Sequence, residues 1–254
     1  MAFTNVTKNT STFSNQTKNS SSFTNETKID VFSALDTSLL YHWSFNEGSG
    51  NAIDSVSGKS LANVNTVTYA SAKINNGAVF SGSNSFSTTA IAFTDPNILG
   101  IAVWLYPTNL SSRKTIFSTR GNADAGSFQL EYGVASGGAI QNVVAVTTPG
   151  VYNFITVNDV LTLNTWNHIV FTRNGIGDTC KVYVNGVLKS FQSVSPVTFI
   201  NNSSNPGIGG AAVGTFDEMD IYDRYLTEAD AILLYNRGYG LTLPRSLFIN
   251  ETKS

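Results

Sequence analysis

The sequence predicts an all-β protein built of antiparallel strands, and two observations carry that prediction. The stretch 165–190, TWNHIVFTRNGIGDTCKVYVNGVLKS, reads as three consecutive strands joined by turns. The composition agrees: glycine is frequent at 21 residues, Thr, Ser and Asn recur throughout, and only 13% of the chain is charged. Many short strands separated by turns call for such residues.

Within that stretch, Trp166 to Arg173 is rich in β-branched and aromatic residues, which fit a pleated surface. Asn174-Gly175-Ile176-Gly177-Asp178 supplies turn chemistry. The next run alternates, with Cys180, Val182 and Val184 on one face and Lys181 and Tyr183 on the other. Asn185-Gly186 then makes a two-residue turn of type I′, whose central positions both need positive φ. That turn sets Val184 against Val187 and Tyr183 against Leu188.

The chain has 254 residues, 41% of them hydrophobic and 11% aromatic. A β-sandwich of roughly 200–250 residues folds as one domain, so one large core is expected. The formal net charge is -2 with no basic cluster, which argues against a nucleic-acid partner. No stretch approaches the roughly 20 apolar residues needed to cross a bilayer, so membrane insertion is not expected. The one cysteine, Cys180, rules out a disulfide framework. Placed mid-strand, it reads as a small core residue rather than a nucleophile. The N-terminus, MAFTNVTKNTSTF, has no apolar core and no cleavage site. It predicts synthesis without classical export, as for a virion protein that leaves the cell by lysis. It fits equally a secreted protein trimmed of its leader.

Residues 1–30 form a repeat with a period of ten: FTNVTKNTST, FSNQTKNSSS and FTNETKIDVF. Phe3, Phe13 and Phe23 recur in register, and Phe248 opens a further copy, FINETK, near the C-terminus. An even period keeps these Phe residues on one face of an extended chain. One Phe in ten residues cannot build a core alone, so the repeat either stays unstructured or lays its Phe side chains on another surface. The expectation is an assembly arm engaging copies of the same chain. The Asn-x-Ser/Thr triplets at Asn5, Asn9, Asn15, Asn19 and Asn25 follow from the repeat.

From about Leu39 the composition changes. Leu40-Tyr41-His42-Trp43-Ser44-Phe45 is strand-like and runs into Asn46-Glu47-Gly48-Ser49-Gly50, then Asp54-Ser55-Val56-Ser57-Gly58. Further along stand Gly77-Ala78-Val79-Phe80-Ser81-Gly82, Ile101-Ala102-Val103-Trp104-Leu105-Tyr106-Pro107 and Thr115-Ile116-Phe117-Ser118-Thr119-Arg120-Gly121. Trp166-Asn167-His168-Ile169-Val170, Val182-Tyr183-Val184-Asn185-Gly186 and Phe216-Asp217-Glu218-Met219-Asp220-Ile221-Tyr222 follow. In this order the segments resemble the strands of the laminin-G-like, concanavalin-A-like jelly roll, over roughly residues 38–238. Asn185 stands where that family usually has Asp. The resemblance implies a two-sheet antiparallel jelly-roll sandwich with one short C-terminal helix. The expected organisation is an arm over 1–30, a jelly roll over 31–242 and a tail over 243–254.

The helix also follows from local rules. Thr227 caps it, with Asp230 three residues on in a box-like position. Ile232 and Leu233 are its expected core residues, and Gly238 ends it.

Few residues suggest chemistry. Glu218, Asp220 and Tyr222 share a strand face, but the second glutamate of the Glu-x-Asp-x-x-Glu pattern of jelly-roll glycosidases is missing. The resemblance implies one structural calcium between the early Asp loop and the closing strand, with Asp54 and Asp217 as its carboxylates. His42 and His168 have no Ser or Cys partner nearby in sequence and read as packed or hydrogen-bonded strand residues. Gly207-Ile208-Gly209-Gly210 opens a strand rather than a helix, so it is not a phosphate loop. Trp43, Trp104 and Trp166 are expected in the core.

Together these readings predict a non-enzymatic structural and adhesion subunit of a phage particle or extracellular filament, self-assembling through its arms. The repeats resemble those of phage virion and tail-fibre proteins. The alternative is a carbohydrate-binding lectin module that recognises a cell-surface glycan, and a glycoside hydrolase ranks third.

Overall fold

A computed structural model describes residues 35–88, 91–95, 98–119, 128–133, 140–145, 152–175, 179–193 and 207–237. The arm over 1–30 with Phe3, Phe13 and Phe23, the tail over 243–254 with Phe248, and Gly238 lie outside the described residues.

The domain is a sandwich of two antiparallel sheets. One sheet has the strand order β14-β13-β12-β7-β16-β5-β4. These are β14 (Val187–Ser193), β13 (Thr179–Val184), β12 (Asn167–Asn174), β7 (Ile98–Pro107), β16 (Val213–Tyr222), β5 (Asn76–Ser81) and β4 (Thr68–Ser71). An eighth strand, β1 (Leu39–Trp43), also pairs with β16. The second sheet runs in the order β11-β10-β9-β8-β15-β6-β3-β2. Its members are β11 (Tyr152–Val157), β10 (Ile140–Ala145), β9 (Phe128–Tyr132), β8 (Lys114–Ser118), β15 (Gly207–Ile208), β6 (Ser85–Ser87), β3 (Ser60–Val64) and β2 (Ala52–Ile53).

Strand alternation places the core between the sheets. Tyr41, Trp43, Phe80, Ile101, Val103, Leu105, Phe117, Ile169, Phe171, Cys180, Val182, Val184, Phe216 and Ile221 all join one buried cluster. Cys180 is a free, buried thiol, as expected. The predicted hairpin forms in the expected register, with Val184 opposite Val187 and Tyr183 opposite Leu188. Asn185 and Gly186 both take positive φ, at 54° and 75°.

The outer face of the first sheet is covered too. Helix α1 (Glu228–Arg237) packs there. Leu226, Ala231 and Leu234 meet Ala102, Val170, Tyr183 and Tyr222 in a second buried cluster. Gly100 permits that approach, because a Cβ on it would lie 2.4 Å from Leu226. The helix starts as the sequence predicts. The Thr227 amide and hydroxyl both donate to Asp230 Oδ2 at 2.8 Å, and the Asp230 amide returns a bond to Thr227 Oγ1 at 3.3 Å. Arg224 adds an ion pair to the same carboxylate. Of the two expected core residues, Leu233 packs half-buried against the second cluster, while Ile232 is 44% exposed. The fully buried positions are Asp230, Ala231 and Leu234. The helix turns its small residue to the sheet and leaves Ile232 beside Gly186 of the hairpin, whose Cβ would lie 3.4 Å from the Ile232 Cα.

β16 ties the sheet together. Its first half, Val213–Phe216, pairs with β5, and its second half, Met219–Tyr222, pairs with β1. On its other side β7 runs along both halves. A bulge between Asp217 and Asp220 separates them, with Glu218 at φ 49°.

Candidate functional site

Below the helix, the outer face of the first sheet continues as rows of side chains set by register. Leu105, Ile169 and Phe216 point into the core, so their neighbours Trp104, Tyr106, His168 and Asp217 point outward. One row crosses β12, β7 and β16 through His168, Trp104 and Asp217. The next row sets Tyr106 opposite Thr215, and Trp166 precedes β12 beside Tyr106.

The first of these rows is covered. Trp104 is 2% exposed. Its ring meets His168 at 4.8 Å and stacks on Tyr235 of α1 at 5.6 Å. The Lys73 ammonium stands 4.5 Å from the Trp104 ring centroid, in cation–π range. The second row is open. Tyr106 and Trp166 are both half-buried, with ring centroids 5.5 Å apart and planes 59° from parallel. The aromatic wall thus passes from buried to accessible along two central strands.

Electrostatics on this face follow from burial. Desolvation pushes the His168 imidazole down to about 3, against an opposing pull from Asp220, with Lys73 lowering it further. The ring is therefore neutral near pH 7, and its Nδ1 has no hydrogen-bond partner. Asp217 is fully buried. Desolvation pushes its carboxyl up to about 8, helped by Glu218 and opposed by main-chain amides including that of Ile74. Its Oδ2 accepts the Ile74 N–H at 2.7 Å, while Oδ1 has no partner. Asp217 thereby anchors the β4–β5 turn that carries Lys73. That turn also closes on itself through Ala72 N–H to the Asn75 carbonyl at 2.9 Å.

A second polar group lies where β1 meets β16. His42 Nδ1 sits 2.6 Å from Asp220 Oδ1, and its Nε2 sits 3.6 Å from Glu218 Oε2. The Tyr222 hydroxyl donates to Asp220 Oδ2 at 3.0 Å. Glu218, Asp220 and Tyr222 reach one face as the sequence suggested. Alternation from Phe216 turns Asp217 outward, and the bulge that follows lets Asp220 share its face although it stands three residues on.

The profile of the concanavalin A-like lectin/glucanases superfamily matches residues 80–231, well over half of the chain. The chain belongs to this superfamily. No individually curated protein matches it in sequence. Among solved structures, it is similar to domain 4 of the extracellular GH43 arabinanase AbnA from Geobacillus stearothermophilus, in complex with arabinotriose. That likeness has a TM-score of 0.63 at 21% identity, over 78% of this chain and 98% of that one. It is also similar to the botulinum neurotoxin serotype D binding domain, with a TM-score of 0.63 at 15% identity over 80% of this chain. The binding domain of Paraclostridial Mosquitocidal Protein 1 gives 0.63 at 16% identity, again over 80% of this chain. The chain spans about half the length of these two toxin domains, at 52% and 53%. At such identities the likeness is one of fold.

The calcium that a superfamily member was expected to hold does not suit Asp54 as it stands. Its carboxylate accepts the His42 amide at 2.6 Å, the Val56 amide at 3.0 Å, and the Ser57 amide and hydroxyl at 2.6 Å each. Burial raises this carboxyl, but those four donors outweigh burial and hold it below its ordinary value. They occupy the roughly four lone-pair sites of a carboxylate. Asp54 therefore acts as the cap of its own loop. Asp217 shares none of these donors and serves the Lys73 turn. Among the described residues no group of three or more His, Cys, Asp or Glu side chains is placed to hold a metal ion.

Two of the three tryptophans behave as the superfamily resemblance implied. Trp43 and Trp104 are buried. Trp166 is not a core residue, because it precedes β12 and leans on Tyr106 at the open end of the face. Tyr106 was not singled out from sequence. Its signal was the break in an otherwise apolar run from Ile101 to Pro107.

Proposed function

We propose that this chain is a glycan-binding, non-hydrolytic domain displayed on a virion or other extracellular surface. The observation that carries this reading is the half-buried Tyr106–Trp166 pair at the end of a wall of otherwise covered aromatic rings. Flat aromatic surface beside polar groups suits the apolar face of a sugar ring. Membership of a superfamily of lectins and glucanases favours the same ligand class, as does a similar fold in an arabinanase domain bound to arabinotriose.

The arrangement of carboxylates favours binding over hydrolysis. Glycoside hydrolysis needs two carboxyl groups flanking a scissile bond, about 5–5.5 or 6.5–9.5 Å apart. Here the His42 ring lies between Glu218 and Asp220 and bonds or pairs with both.

The test is a panel of neutral and acidic oligosaccharides, arabinan, galactan and galacturonan fragments included, titrated while tryptophan fluorescence is followed. The wild type binds at least one, releases no reducing ends, and Trp166→Ala loses about tenfold or more in affinity. A wild type that binds none of the panel, or that cleaves a member of it, overturns the reading.

The ten-residue repeat favours a second role compatible with the first. Its Phe residues lack a core of their own, and an extended strand gains register and main-chain hydrogen bonds by adding to a neighbour's sheet. In this reading the arm holds copies of the chain together in a particle or filament, and the jelly roll faces outward.

A further inference from the structure

Resting on the reading that the arm holds copies of the chain together, we propose where it docks: a ten-residue repeat of a second copy adds as a strand to the open edge of β4, with its Phe against Tyr69. Three observations carry it.

The first is the state of the sheet edges. β14 and β11 touch each other, and β14 also touches α1. β14 carries Lys189, and a bulge interrupts its pairing with β13. β2 has only two residues. The outer side of β1 is taken by the Asp54 loop, where Asp54 Oδ1 accepts the His42 amide and the Ser55 amide donates to the His42 carbonyl at 3.0 Å. Cover, charge, bulges and shortness are the usual protections of an edge. β4, Thr68-Tyr69-Ala70-Ser71, has no charge, no proline and no bulge, and Thr68, Ala70 and Ser71 are exposed.

The second is the direction of the main-chain groups. Ala72 N–H bonds the Asn75 carbonyl at 2.9 Å, and the Asn76 N–H is turned away from β4 onto Asn46 Oδ1 at 2.9 Å. Ser71 and Asn76 are therefore a non-hydrogen-bonded pair, and alternation makes Tyr69 and Ala78 another. Tyr69 and Ser71 thus turn their N–H and C=O groups off the sheet, two residues apart. Among the described residues nothing bonds to these groups. An added strand supplies donors and acceptors at that same spacing.

The third is the fit of the occupant. Tyr69 stands at the rim of the core: its ring is tilted on Phe86 at 6.3 Å, its hydroxyl donates to the Gly50 carbonyl at 3.0 Å, and it is half-buried. A strand added to β4 sets every second side chain on the Tyr69 side of the sheet. The repeat offers one Phe on such a face, followed by Asn and Thr, as in Phe3, Asn5 and Thr7. Its Phe gives Tyr69 an aromatic cross-strand neighbour. Residues 1–34 span about 110 Å when extended. That is several times the radius of gyration of about 17 Å expected of a domain this size, so the arm reaches a second copy.

The experiment uses the full chain and follows sedimentation and electron microscopy. Ser71→Pro removes an outward N–H and keeps the bonds to β5. Ala70→Lys places a cation on the same edge. The triple variant Phe3→Ser, Phe13→Ser, Phe23→Ser strips the arm of its aromatic rings. Wild type assembles, while each variant keeps its melting temperature and sediments as a monomer. Mixed together, Ser71→Pro, which keeps its arm, and the triple variant, which keeps its edge, sediment as a complex. If the triple variant loses assembly while the edge variants assemble like wild type, or if the mixture stays monomeric, the β4 docking is wrong and the arm reading stands. If Ser71→Pro fails to fold, Ala70→Lys decides. If wild type is monomeric, or the triple variant still assembles, the arm reading and the docking fall together. Protection of a monomer's arm from trypsin that Ser71→Pro removes would then mark docking onto its own β4.

Discussion

Asn185 grips His168 from both sides. Its amide donates to the His168 carbonyl at 2.8 Å, and its Oδ1 accepts the His168 amide at 2.8 Å. One residue of a tight turn thus caps the main chain of the neighbouring strand at the point where the ring of His168 meets Trp104. The same residue takes φ 54° to make the turn.

Replacing it tests both duties. Asn185→Val forces a β-branched residue into positive φ and leaves the His168 amide without its acceptor. The expected loss is about 2–4 kcal/mol, read as a lower midpoint in urea or heat. Asn185→Asp keeps the acceptor and tolerates the backbone, so its loss is smaller. An unchanged melting temperature for Asn185→Val would count against the assigned role.

The pair Asp217 and His168 fixes an unusual pH profile. Unfolded Asp and His titrate near about 3.9 and 6.5. In the fold, Asp217 holds its proton up to about 8 and His168 refuses one down to about 3. Between about pH 4 and 6.5 each state binds one proton on the pair, in the fold on Asp217 and in the unfolded chain on His168, so their contribution is level. From about 6.5 to 8 the unfolded chain holds none while Asp217 still does, so stability falls as pH rises. Below about 4 the unfolded chain holds two and the fold one, so stability falls again, with Asp54 adding to the acid loss. Asp217→Asn keeps an acceptor for Ile74 and removes the alkaline limb. Its melting temperature should rise with pH to about 6.5 and then stay flat, in contrast to the wild type. Thermal scans of both proteins across this range decide the matter.

Calcium should not matter to the melting temperature. An ion bound at a hundred times its dissociation constant stabilises by about 2.7 kcal/mol. With the Asp54 oxygens taken by four donors of its own chain, millimolar calcium and EDTA should give midpoints within about 1 °C of each other, since each kcal/mol moves a chain of this size by about 2–4 °C. A larger gap would restore the calcium site.

Deleting residues 1–30 should leave a soluble, folded jelly roll that no longer assembles, and Phe3→Ser, Phe13→Ser and Phe23→Ser together should do nearly the same. An extended arm places these Phe residues about 33 Å apart, enough to cross from one subunit to the next. Electron microscopy and sedimentation of the purified chains provide the readout. A truncated chain that forms the same assemblies as the full one refutes the arm's role.

Much of the fold was legible because its cues are local. The Asn185-Gly186 turn, the alternation around Cys180 and the Thr227–Asp230 cap each lie within a few residues of sequence, and each formed as read. The candidate site was less legible because its contacts are distant. Tyr106 lies on β7 and Trp166 just before β12, 60 residues away, and the bond between Ile74 and Asp217 spans 143 residues. The bulge at Glu218 set Asp217 and Asp220 on one face, three residues apart, without any cue from glycine or proline. Ile232 misled for a related reason, since the phase of α1 is set by the sheet beneath it rather than by its most apolar residue.

The divided partnership of β16 also bears on when the protein can fold. The last strand supplies the shared edge for β1, β5 and β7, and His42 meets Asp220 across 178 residues. A nascent chain that ends before Val213 leaves those three strands with open edges facing one another across a gap. Contacts of such long range must wait for loop closure, which slows folding and exposes unpaired edges meanwhile. Consolidation of this sheet therefore comes after the ribosome has delivered the C-terminal strand, and a truncated translation product is a species prone to aggregate rather than a smaller version of the domain.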